Sequence, residues 1–358
     1  MRILITTILV RSGQTTHVWD LVNTLHSQGH EVAVAILVKN KKNIVYGGNL
    51  SKSDVNALFK PIEGVSYHYY NKIQELKNII KKHKVEILHA HSSLTFALSL
   101  KAAKTFKIPL ILTLHGVNNW GKKFPNTLSY ASKIIAIGPP QAKSLPPSAS
   151  EKLHLIYNGI NLNKYVPNYN TFKLSPKSST CPLKIIWFGR LDQTSSSGVE
   201  VLNQAISELR KKGKNIEARL IGTPGKAKVD QFNAYGWINN PIPHLQWAEI
   251  AFCHGRALME AMACGNIGIK LAHGYGGLVQ NDWFSGKTPK PLGALREYNL
   301  PKPNHKEIAA LLSELYDDNK KLLNLRKEAC DISKNYFGVE FMVNKTVALY
   351  EEALKGNK

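Results

Sequence analysis

The sequence predicts an α/β chain built as two doubly wound parallel-sheet domains, on three observations. Short apolar runs of strand length alternate with amphipathic helical stretches. That rhythm stops at a polar, Pro-rich segment and then restarts. The apolar runs are continuous rather than alternating, as in strands covered on both faces. At 358 residues and 43% hydrophobic content, the chain is long enough for two cores of ordinary size.

The first strand is expected at Ile3–Leu9, followed by a helix with Val18, Leu21, Val22 and Leu25 at i, i+3, i+4 and i+7. Gly29 ends that helix, and Val32–Val38 is an unbroken apolar strand. Further strands are expected at Glu86–Ala90, Leu110–Leu114, Lys133–Ile137 and Leu153–Tyr157. Residues 166–182 have no period and read as a linker, so the first domain is taken as 1–165 and the second as 183–335. In the second domain a strand at Lys184–Phe188 precedes a helix near Gly198–Lys212, and Ala218–Ile221 is the next strand. Helices close the chain around Lys306–Leu315, Lys320–Ser333 and Val339–Leu354.

The net charge of +22 is uneven: residues 1–180 hold 23 Lys+Arg against 7 Asp+Glu, while 181–358 hold 24 against 18. The basic first half fits an anionic partner such as a membrane surface, and equally a well-solvated Lys-rich face. The segment Asn71–His83 repeats this ambiguity. Ile73, Leu76, Ile79 and Ile80 give it an apolar side ringed by lysines, which suits docking on the sheet or lying on anionic lipid. Nucleic acid is disfavoured, because only 8 of the 47 cations are Arg and no recognised motif is present. No run of about 18 apolar residues exists, and Met1–Leu9 is too short for a signal peptide, so a cytoplasmic protein is expected. Its four cysteines are scattered and read as reduced core thiols.

The most informative stretch is Gly255–Gly265. An apolar strand, Ile250–Cys253, runs into Gly255, then into a helix-forming run that carries Glu260; Gly265 stops it before a second strand at Ile267–Ile269. Such a strand–Gly–helix turn offers backbone N–H groups and the positive end of a helix dipole to phosphate. Glu260 lies beyond the first helical turn, where it suits ribose hydroxyls better than the dipole.

Here the residues resemble a known family. Glu260-Ala-Met-Ala-Cys-Gly265 is similar to the signature of the family 4 glycosyltransferases, which are retaining, nucleotide-sugar-dependent enzymes of the GT-B fold. Arg11-Ser-Gly13, Gly29-His-Glu-Val32, Leu88-His-Ala-His91, Thr113-Leu-His-Gly116, Asn158-Gly-Ile-Asn161 and Phe188-Gly-Arg-Leu191 follow in the family's order. The resemblance implies two Rossmann-like domains facing a central cleft, with the acceptor on the first, the donor on the second, and the last helix, 336–358, returning to the first. It also implies that Arg190 contacts the donor diphosphate, that His115 lies near the donor sugar, and that Gly13, Gly189 and Gly255 let backbone approach the donor.

Two departures stand out. The family's Lys before the next Gly is absent, and Ser197 takes its place; Phe252 stands where the family often has the first Glu of a Glu-x7-Glu pair. Arg256, beside Gly255, is a candidate replacement cation. The Gly-rich run His273–Gly277 offers Gly276 and Gly277 for backbone contact with sugar or phosphate, or is a plain flexible connection. No Asp-x-Asp pair is present, so leaving-group charge falls to cations and helix N-termini, with no metal and no cofactor. His89 and His91 are read as structural. The expected activity is metal-independent transfer of a hexosyl or N-acetylhexosaminyl group from a donor such as a UDP- or GDP-sugar. The acceptor would be an envelope-type glycan or a lipid-linked one. A catalytically retired GT-B subunit that binds a glycan or protein partner is the alternative.

Overall fold

The computed structural model describes residues 1–358 apart from 11, 39–59, 192–194, 224, 286–289, 294–299 and 357–358. The chain divides into two compact units, the first made of Met1–Gly159 with Val339–Lys358 and the second of Ile160–Gly338. Each is described on its own.

In the first unit the strands are β1 (Arg2–Thr7), β2 (Glu31–Leu37), β3 (Ser66–Tyr70), β4 (Ile87–His91), β5 (Leu110–Leu114), β6 (Lys133–Ala136) and β7 (Leu153–Leu155). They form one sheet in the order β3-β2-β1-β4-β5-β6-β7, every pairing parallel. The strand order reverses between β1 and β4, which is where open α/β sheets receive ligands, beyond the carboxyl ends of the strands. Helix α1 (Gly13–Ser27) follows β1 and is capped by Ser12, whose Oγ accepts from the Gln14 N–H at 3.3 Å. Its Val18, Leu21, Val22 and Leu25 are all buried. Each such side chain contributes about 1.5–3 kcal/mol by leaving water.

Helix α2 (Ile73–Lys82) settles its two readings. Leu76, Ile79 and Ile80 are buried against the sheet layer and helix α3 (Ser93–Phe106), while Lys72, Lys81 and Lys82 stay exposed. The apolar side is therefore docked in the protein and is not available to lipid. Strand β3 was not foreseen, because its Ser-Tyr-His-Tyr-Tyr sequence lacks an aliphatic run; it is an edge strand, where aromatic residues suffice.

In the second unit β8 (Leu183–Phe188), β9 (Ile216–Ile221), β10 (Asn233–Ala234), β11 (Ile250–Cys253), β12 (Ile267–Leu271) and β13 (Tyr275–Leu278) form a sheet ordered β10-β9-β8-β11-β12-β13. All pairings are parallel except β12–β13, which is antiparallel. The order reverses between β8 and β11. Helices α4 (Ser196–Lys211) and α6 (His305–Asp317) cover one face; α5 (Gly255–Ala263) and α7 (Asn319–Tyr336) cover the other. The last helix, α8 (Val339–Lys355), lies in the first unit, where it buries Met342, Val343 and Tyr350.

Two expectations about connections change. Residues 166–182 are not a free linker but part of the second unit. Arg326 of α7, fully buried, donates to Thr171 O and to Thr171 Oγ1, and Lys177 forms a shielded ion pair with Glu249. The run His273–Gly277 is not a flexible loop either, since from Tyr275 onward it is strand β13. The cysteines are free thiols, with Cys253, Cys264 and Cys330 buried.

Candidate functional site

In the second unit the site residues gather where β8 and β11 end. Gly189 closes β8 with φ of +145°, a conformation L side chains rarely adopt, and a Cβ there would stand 3.7 Å from the His254 ring. Arg190 follows as an exposed side chain, and the Ser195 hydroxyl donates to its carbonyl at 2.7 Å, so Ser195 ties the loop back onto the end of β8. Ser197 is exposed in the first turn of α4. Asp192, Gln193 and Thr194 of that loop lie outside the described residues, as does Arg11.

After β11, Gly255 opens α5 with φ of +59°, but its N–H is not held out for a phosphate: it donates to Leu292 O at 2.6 Å. This corrects the expectation for Gly255. The anion-binding capacity at this end of α5 rests on the helix dipole and on the residues that follow. Two of those residues meet. Arg256 Nε donates to Glu260 Oε1 at 2.8 Å, one turn along α5, with both side chains about 9% exposed. The spacing is i, i+4, and the carboxylate offsets a cation that the helix N-terminus alone disfavours. Glu260 also adds to the effect of burial in holding the Cys253 and Cys264 thiols up, the latter to about 12.

Phe252 sits in the core with Trp187, Ile269 and Leu271, fully buried. A carboxylate in that place would be desolvated, so this strand end does not suit the first Glu that the resemblance implies. A Cβ at Gly276 would come within 2.6 Å of Lys270 Cδ and 3.1 Å of Trp283, so packing requires glycine there. Gly277, with φ of +79°, has open space where a Cβ would be. Lys270 itself escaped sequence reasoning. It is buried in β12, and burial alone lowers its ammonium to about 8. The signal was a single Lys inside the otherwise apolar run Ile267–Leu271.

In the first unit Gly13 is exposed at the start of α1, whose first turn carries no acid and so keeps its preference for an anion. His115 follows β5, half-buried, and His91 ends β4; His91 Nδ1 and His115 Nε2 are 3.1 Å apart. His17 of α1 completes the group, its ring meeting that of His115 edge-on at 4.9 Å. Burial lowers His115 to about 3, so it is a neutral imidazole at physiological pH. His89 is a core residue, held between Thr113 Oγ1 at 2.7 Å and Tyr350 Oη at 2.6 Å. His91, read as structural, is instead brought against His115, and His17 was not singled out at all. The two-residue spacing of His89 and His91 places both on one face of β4 and was the available signal for the first of these. A cavity of about 330 Å3 lined by Arg2, His26, His30 and Glu31 opens at the opposite, amino-terminal edge of this sheet, away from these groups.

The sequence model of Glycosyltransferase Family 4 matches residues 11–164. Two solved structures extend the likeness to the whole chain. A glycosyltransferase from Rickettsia africae is 19% identical, with a TM-score of 0.72 over 99% of this chain and 98% of its own. HepE from Anabaena, in complex with UDP and glucose, is 13% identical with a TM-score of 0.64 over 97% and 98%. The chain has the GT-B fold, and its residues 11–164 are similar to Glycosyltransferase Family 4. A lipopolysaccharide outer core galactosyltransferase, WaaB, is similar too, at 14% identity and a TM-score of 0.62 over 98% of this chain and 100% of its own. No curated protein matches the sequence. Among the described residues, no helix is long and apolar enough to cross a membrane.

Proposed function

We propose that this family 4-like transferase takes a hexosyl or N-acetylhexosaminyl group from a uridine diphosphate sugar and delivers it, with retention, to an envelope-type glycan or lipid-linked acceptor. The observation that carries the reading is the buried Arg256–Glu260 pair at the start of α5, beside Gly189 and the ends of β8 and β11. A cation and a hydroxyl-binding carboxylate one helical turn apart suit the diphosphate and the ribose of one nucleotide. The UDP and glucose bound by the similar HepE support that choice of base, and the acceptor class takes support from the outer core activity of WaaB.

In this reading the bond from the anomeric carbon to the diphosphate breaks, and its electron pair leaves with the phosphates. Arg190, Arg256 and the dipole of α5 stabilise that charge, so the transfer itself needs no metal and no cofactor. The acceptor oxygen bonds to the same face of the sugar and passes its proton to an oxygen of the departing diphosphate. The occupied N–H of Gly255, with Phe252 and Ser197 at the two departures from the family pattern, favours a second reading, a retired subunit that binds a glycan or protein partner without turnover.

A thermal-shift panel of UDP-, GDP- and ADP-sugars separates these. A UDP-sugar at about 100 times its dissociation constant adds about 2.7 kcal/mol of stability, and transfer or slow donor hydrolysis accompanies it. Glu260→Ala weakens UDP by about 1.5–3 kcal/mol, the range for a hydrogen bond to a charged group. Nucleotide stabilisation without any turnover supports the retired subunit, and no response to any nucleotide removes the enzyme reading. Unchanged UDP affinity in folded Glu260→Ala removes the ribose assignment.

The protein is further proposed to work in the cytoplasm at the inner face of an anionic membrane, drawn there by the basic first half. Each exposed Lys near such a surface, Lys72, Lys81 and Lys82 among them, adds about 1 kcal/mol, screened by salt. Co-sedimentation is expected with phosphatidylserine vesicles at low salt and is lost at high salt. Equal binding to neutral vesicles rules out the electrostatic anchor.

A further inference from the structure

His17, His91 and His115 come from three separate elements and converge at the point of strand reversal in the first unit. Each ring offers a nitrogen, and these three nitrogens lie within 4.8 Å of one another. We propose that the three imidazoles form a binding site for a divalent transition-metal ion of the zinc class, a property of the first unit that does not rest on the function proposed above.

Four features support the assignment. The donor set is all imidazole, which suits zinc, nickel or copper and not the magnesium or calcium that oxygen ligands hold. Zinc with three His ligands keeps a fourth position for water, and metal–nitrogen bonds of about 2.0–2.1 Å place tetrahedral nitrogens about 3.4 Å apart. The His91–His115 pair already stands at 3.1 Å. The widest allowed separation closes by about 1.4 Å, within the reach of an imidazole turning about its side-chain bonds.

The rings are also ready to bind. His91 is fully buried, and its Nδ1 already faces His115 Nε2. The ring of His89 backs His91 at 4.1 Å and is itself fixed by Thr113 and Tyr350, which limits the motion of His91. His115, half-buried, leaves a route for the ion and its water.

The test titrates chelator-stripped protein with Co2+, read by its visible ligand-field absorption, and then displaces it with Zn2+. One equivalent is expected to bind with a tetrahedral-type spectrum. His17→Gln and His91→Gln should each weaken it by more than the roughly 10–100-fold that loss of an outer-shell partner costs. Circular dichroism checks that each variant is folded, and His17→Gln serves if His91→Gln is not. His83→Gln controls for the other close pair, His68 and His83, whose Nε2 atoms are 2.8 Å apart; it should leave binding unchanged. Absence of a saturable site, indifference to His17→Gln, or loss of binding in His83→Gln overturns the proposal. A protein that binds Co2+ at these residues but transfers nothing keeps this site and loses the proposed function; one that transfers sugar but binds no metal does the reverse.

Discussion

Arg326→Ala should lower the thermal transition of the second unit by about 6–12 °C. The guanidinium, buried in α7, donates to Gly265 O at 2.8 Å, to Thr171 O at 2.8 Å and to Thr171 Oγ1 at 2.9 Å, and lies 4.2 Å over the Phe172 ring. Hydrogen bonds from a charged donor are worth about 1.5–3 kcal/mol each, so losing two of them costs at least about 3 kcal/mol. For a unit of this size each kcal/mol moves the transition by about 2–4 °C. Arg326→Lys should recover only part of the loss, because an ammonium cannot reproduce the planar fork that reaches Gly265 and Thr171 together. Calorimetry reads the result directly. A transition within 1–2 °C of the parent, about what 0.5 kcal/mol would give, would show that the segment around Thr171 is held by its apolar contacts alone. The consequence reaches the site, since Gly265 is the residue that ends α5, the helix of Arg256 and Glu260.

That contact also explains why residues 166–182 were misread. Polarity and prolines mark a segment that makes no regular element, and they say nothing about a partner 155 residues later in the chain. The interior strands β1, β2, β4, β5, β8, β11 and β12 were legible because covering both faces of a parallel sheet demands unbroken aliphatic runs. The edge strand β7 was legible too, at Leu153–Tyr157, but β3 is built from Ser, Tyr and His, and β13 holds two glycines of which Gly276 must clear Lys270, so neither carries a strand pattern. At the site, the i, i+4 spacing of Arg256 and Glu260 was on the page, yet each was assigned a ligand separately and the pair was overlooked. The meeting of His17, His91 and His115 was beyond any local pattern. Only the reversal of strand order between β1 and β4 brings α1 against the ends of β4 and β5.

Arg256→Ala should cut turnover at saturating donor by about 10²–10³-fold, the loss typical of one pre-positioned electrostatic stabiliser. The pairing with Glu260 gives the same variant a second effect. Removing one partner of a buried ion pair leaves a desolvated charge, at a cost of about 3–5 kcal/mol in stability. The two effects separate in the double variant. With Glu260 also changed to Ala no charge is stranded, so most of the stability should return, whereas the diphosphate still lacks its cation and turnover should stay low. Affinity for the uncharged nucleoside should be nearly unaffected by Arg256→Ala alone, because that residue is assigned to the phosphates and Glu260 to the ribose. Lys introduced at Ser197, exposed in the first turn of α4 where the family carries its cation, should restore part of the rate in the Arg256→Ala background without restoring its stability. If turnover instead followed stability through the series, recovering in the double variant and ignoring Ser197→Lys, Arg256 would be a structural partner of Glu260, and the charge on the leaving diphosphate would fall to Arg190 and the dipole of α5.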